Sequence, residues 1–151
     1  MNALSVFAGV LLFFACALVG MWLRKRCVRK ALFYEEYYEF LLFALEKISY
    51  ERMPVSEIKA GFHKGEKTDF CEFLMGKPVA LPIPDGEIAE IGEYIGGIGT
   101  TDADTQIASL RGKCAELKRF TEERGVSFKK DGSLYFKLSV LIGIACFIII
   151  V

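Results

Sequence analysis

Two short stretches hold residue types at spacings that could do chemistry. Residues 92–106 read GEYIGGIGTTDADTQ, in which Gly97-Ile98-Gly99 runs into Thr100-Thr101-Asp102. Glycines just ahead of a helix can cradle a phosphate on backbone N–H groups. Here Asp102 stands where the dinucleotide fingerprint needs its third glycine, and the Gly-Lys-Ser/Thr of a P-loop is absent. A helical rather than a strand pattern precedes the turn, and an aspartate at a helix start would repel a phosphate bound there. Helix capping accounts for more of the residues. Gly96 or Gly97 would end one helix in a left-handed cap and Thr101 or Asp102 would start the next. With Gly99 between them, these five residues form a hinge whose chemistry is structural.

The second stretch is GFHKGEKTDFC, where His63, Asp69 and Cys71 could be drawn as a catalytic set. No base or nucleophile signature surrounds them, and a single histidine in a polar loop is by default solvated. The five cysteines are scattered without a CxxC pair, which fits neither a disulfide framework nor a zinc site. The pairs Glu35-Glu36 and Glu122-Glu123 sit beside basic residues, as solvated helix faces do. No catalytic residue, cofactor or metal site is expected. A small membrane-anchored enzyme using His63 and Cys71 is the alternative of another class.

The elements that must position these residues begin at the chain ends. Residues 3–23 are uncharged, and about 21 residues suffice to span a hydrocarbon core as a helix. Positive charge follows this stretch instead of preceding it, at Arg24, Lys25, Arg26, Arg29 and Lys30, so a retained transmembrane helix is expected and not a cleaved signal. The charge-free end from Leu138 to Val151 covers only about 21 Å; counted from Leu134, with Lys137 snorkelling, it reaches about 27 Å. Lys129, Lys130 and Lys137 lie on its entry side. Both basic flanks place the middle of the chain in the cytoplasm and both termini outside. The 19 basic and 19 acidic residues balance, which argues against a nucleic-acid partner.

Between the spans, helical periodicity recurs without strand alternation. Phe33, Tyr37, Phe40, Ala44 and Ile48 form one stripe over residues 24–51, continuous with the first span. The neighbouring tyrosines Tyr34 and Tyr38 are left as a candidate partner surface, and a simple membrane-anchored dimer through this aromatic helix is a further alternative. Pro54 breaks the run. Short helices are expected over residues 54–62 and 67–75, the latter stopped by Gly76, and another over 85–95 after the rigid connector KPVALPIPDG. A long last helix then runs, with a bend near Gly125, into the second span. The expected fold is all-α: transmembrane helices at 1–23 and 134–151 flank a cytoplasmic antiparallel helical bundle at 24–133.

This order of features resembles the stage III sporulation protein AB family of endospore-forming bacteria. The resemblance rests on EKISYERMPVSEI and IGEYIGGIGTTDADTQ, set between an N-terminal span with a basic flank and a charged helix entering a C-terminal span. It implies a helical domain similar to the inner-membrane platform protein F of type II secretion and type IV pilus machines. It also implies a place in the mother-cell membrane around the forespore, as a subunit of a channel-like complex. The implied partners are the membrane, a cognate sporulation ATPase and the other channel subunits, with homo-oligomerisation left open.

Overall fold

The computed structural model describes residues 3–62 and 67–150, and among these every regular element is helical. The elements in order are α1 (Ala3–Glu51), α2 (Val55–Gly61), α3 (Asp69–Leu74), α4 (Asp85–Gly97), α5 (Ala103–Phe120), a π-helical turn (Thr121–Gly125) and α6 (Val126–Ile150). The chain divides into two compact units, residues 1–29 with 126–151 and residues 30–125.

In the first unit the N-terminal part of α1 lies along α6. Two helices, Val6–Glu51 and Ala103–Ile150, are long and apolar enough to cross a membrane. Only 11% and 6% of their most apolar windows is buried, whereas the core helix of a soluble protein would be mostly covered. The two segments meet through small residues. Gly20 lies against Ser139, Gly132 against Cys27 and Gly143 against Cys16, a pairing that is antiparallel. Buried Gly9 and Gly20 are eleven residues apart on one helix, as are Gly132 and Gly143 on the other, which is three turns of a nearly straight helix. Small side chains at these positions let the two helix backbones approach closely. This seam explains why the first unit reaches past the apolar stretches that end at 23 and begin at 134. Close packing continues to Gly132, where an added Cβ would stand 3.4 Å from the carbonyl oxygen of Arg24.

At Gly20 an added Cβ would lie 2.7 Å from the Ser139 Cβ. Gly20→Ala should therefore weaken the pairing by about 1–3 kcal/mol, and Gly20→Ala with Ser139→Gly should recover most of the loss. Unfolding of the four-member cycle by SDS in mixed micelles measures both, and additive single effects would count against the contact.

In the second unit the aromatic stripe of α1 is the spine. Phe33, Tyr37, Phe40, Leu41 and Ala44 are all at most 1% exposed, and the short helices pack on them. Phe62, after α2, stacks edge-on to Phe40 at 5.3 Å, and Phe70 of α3 does the same to Phe33 at 5.3 Å. Helices of seven and six residues have almost no stability of their own, so these contacts are what fix them. Helix α3 is closed at both ends. Thr68 Oγ1 accepts from the Cys71 N–H, and Gly76 at φ 73° completes a cap in which its N–H donates to Phe73 and that of Lys77 to Glu72. Helix α1 itself stops at Glu51, with Arg52 in the left-handed region at φ 48° before Pro54. The helix-to-helix connection expected to bend near Gly125 is a π-helical turn, whose Thr121 hydroxyl donates to the carbonyls of Leu117 and Lys118.

A candidate aromatic and acidic cleft

Helices α4 and α5 form a hairpin across the glycine turn, and one residue carries both halves of the closure. Gly99 holds φ 89° and its N–H donates to Gln106 Oε1 at 2.9 Å. Gln106 is 6% exposed, a buried amide that answers an otherwise orphaned backbone donor. The Thr100 hydroxyl donates to the Gly97 carbonyl, and Thr101 reaches the same Gln106 oxygen at 3.4 Å. Asp102 is the N-cap of α5, its carboxylate accepting from the Thr105 N–H at 3.1 Å. That backbone hydrogen bond holds the Asp102 carboxyl below its ordinary range. The carboxylate thus already occupies the anion-favouring end of the helix, and a phosphate has no place there. One expectation is corrected. Gly96 and Gly97 are the last helical residues of α4, and the left-handed position is Gly99, because the chain must turn beside Val55 before Asp102 can cap.

The same hairpin, laid on α1, encloses a cleft of about 290 Å³. Tyr34 and Tyr37 come from α1, Glu87, Glu90 and Tyr94 from α4, and Lys113, Glu116 and Phe120 from α5. The antiparallel pairing brings them together: the Tyr94 hydroxyl meets Ser109 at 3.3 Å, so positions 90 and 87 fall opposite 113 and 116. Tyr34 is 5% exposed, donates its hydroxyl to Glu87 and stacks on Phe120 at 4.8 Å between centroids. Lys113 pairs with Glu116 at 3.1 Å and sits 5.8 Å over the Tyr94 ring. Glu90 is exposed and has no hydrogen bond or ion pair to any described residue. At the floor, Tyr37 is 1% exposed and its hydroxyl is buried without a hydrogen-bond partner among the described residues.

No family model matches the chain, and no curated protein or solved structure matches it either. What the cleft can do is therefore read from its own chemistry. Burial pushes both phenols well above their ordinary 10.0. For Tyr34 the hydrogen bond to Glu87 and the nearby charges of Glu87 and Glu90 add to this; for Tyr37 it is Tyr94, Glu116 and Glu90. Both stay neutral, so neither is a base or a nucleophile at physiological pH. Their contribution to stability is whole below pH 10 and falls as pH rises above it, because the unfolded phenols ionise there and the folded ones do not. The expected fall is up to about 1.4 kcal/mol per pH unit for each phenol. Urea unfolding between pH 9 and 11 should show Tyr37→Phe with a shallower slope than the parent, and an equal slope would contradict the assignment.

The remaining residues singled out from the sequence are distributed as follows. Tyr34, a candidate for a partner surface, lies in the cleft against Glu87 and Phe120, and Tyr38 is half-buried. Arg24, Lys25, Arg26 and Arg29 are exposed and Lys30 is half-buried. The Arg26 guanidinium lies 5.5 Å from the Trp22 ring. Lys129, Lys130 and Lys137 are exposed on α6. His63 lies outside the described residues, and Cys71 is a 2% exposed core residue, its thiol facing the apolar interior and away from solvent. The described residues contain no group of three or more metal-ligating side chains. Glu87, Glu90, Glu116 and Gln106 were not singled out from the sequence; their signal is the turn itself, which predicts that acids before and after it share one hairpin face.

Proposed function

We propose that this chain is a non-enzymatic, membrane-anchored platform subunit whose helical unit docks a partner protein. The observation that carries the reading is the pair of terminal helices, apolar enough to cross a membrane and barely covered by the rest of the chain, on either side of a separately packed helical unit. The basic clusters at 24–30 and 129–137 support an orientation with that unit in the cytoplasm and both termini outside. The resemblance carried by EKISYERMPVSEI and IGEYIGGIGTTDADTQ supports the finer reading: a sporulation channel or secretion-like complex in the mother-cell membrane around the forespore, with a cognate ATPase and other channel subunits as partners.

Crosslinking in sporulating cells followed by purification of the full chain should recover an ATPase or a channel component, and recovery of neither would sink the platform reading. Orientation is tested separately. Cys71 and Cys114 are 2% and 6% exposed, so their shielding from a reagent would report folding and not sidedness. Tyr50, at 86% exposure, is the better reporter. Tyr50→Cys should resist an impermeant maleimide in intact cells and react after lysis; labelling in intact cells would reverse the orientation.

A further inference from the structure

We infer that the cleft between α1, α4 and α5 receives the guanidinium group of an arginine side chain presented by a partner protein. The inference rests on the reading of the helical unit as a docking module and names what that module would hold. Three carboxylates, Glu87, Glu90 and Glu116, face a single ammonium, Lys113, so the cleft carries a surplus of negative charge. Glu90 has no cation of its own among the described residues, which leaves it available at the rim. The walls are aromatic, and their rings already accept cations: Lys113 lies 5.8 Å from the Tyr94 centroid and Arg124 5.9 Å from that of Phe120.

The independent observation is the Tyr37 hydroxyl. A buried hydroxyl without a partner costs stability, and the fold would do better with phenylalanine there unless something completes it. A bound N–H donor would do so, since the neutral hydroxyl can accept while the carboxylates at the rim accept the donor's other hydrogens. Guanidinium fits this set better than an ammonium. It is flat enough to stack on the phenol rings, carries five donors in a fixed fork, and is weakly hydrated, so entering the cleft costs it less. An anion is repelled by the same carboxylates, and a neutral aliphatic group would leave both Tyr37 and Glu90 unanswered.

The test uses the full chain in lipid nanodiscs with tyrosine rings isotopically labelled, titrated with Nα-acetyl-arginine N-methylamide. Saturable shifts of the Tyr34, Tyr37 and Tyr94 signals are expected. The citrulline analogue has the same shape without the charge and should bind about tenfold more weakly, the worth of losing charge assistance in one hydrogen bond. Tyr37→Phe should weaken binding several-fold without lowering the melting temperature, and Lys113→Met should tighten it by removing the resident competitor. An absence of saturable shifts overturns the inference, as does equal binding of citrulline, binding of the lysine analogue at least as tight as arginine, or an unchanged affinity in Tyr37→Phe. The two readings fail separately. Probe binding without any captured channel component leaves the cleft and removes the platform, whereas a captured partner without probe binding does the reverse.

Discussion

Phe70→Ala should lower the stability of the helical unit by about 3–5 kcal/mol, the usual cost of removing a fully buried phenylalanine. Phe70 is 0% exposed and its ring centroid lies 5.3–6.3 Å from those of Phe33, Tyr37, Phe40, Phe62 and Phe73. Its truncation leaves a void that these five flat side chains cannot close together. Helix α3 has only six residues, and the position of Phe70 at its start is what attaches it to α1. A unit of this size has about 5–15 kcal/mol in all. The variant should therefore sit near the edge of unfolding, with a melting temperature lower by roughly 15–30 °C. Thermal circular dichroism in nanodiscs checks it, with Phe70→Leu as the milder comparison. A fall of only a few degrees would mean that α3 is held by its caps and not by the aromatic cluster.

Much of this core was legible in the sequence because it follows a single helix. Phe33, Tyr37, Phe40, Ala44 and Ile48 recur at helical spacing, and each is buried. Pro54, Gly76 and Asp102 end or start helices for local reasons that a few residues suffice to state. The cleft was not legible in the same way. Glu87, Glu90 and Glu116 each look like part of a solvated helix face, and each is exposed. Only the hairpin across the turn, laid on a third helix, brings them to the lining of one cleft. Tyr37 shows the difference within one residue. Its spacing marked it as core, correctly, but nothing in the spacing says that its hydroxyl would lie buried and unanswered. Gln106 is similar, since a glutamine near a helix start reads as surface until the backbone donor of Gly99 is placed beside it.

Gly99→Val should be the most damaging change at the turn, at about 2–5 kcal/mol, from two additive causes. The backbone at φ 89° is a conformation that a β-branched residue resists. The new Cβ would also stand 2.7 Å from the Val55 Cγ2, on a side chain too stiff to swing away, so α2 or the turn must shift. Any such shift stretches the 2.9 Å bond from the Gly99 N–H to Gln106 and leaves the buried amide short of a partner. Gly97→Ala is the informative contrast. Its added Cβ meets nothing within 4 Å and the residue is already helical, so the change should be neutral or stabilise by about 0.5–1 kcal/mol. Two glycines two positions apart in sequence give opposite signs because of where the left-handed residue sits. Equal destabilisation by both changes in urea unfolding would return that position to the end of α4. The cleft is built by the hairpin that this turn closes, so loss of arginine-probe binding in Gly99→Val but not in Gly97→Ala is the accompanying expectation.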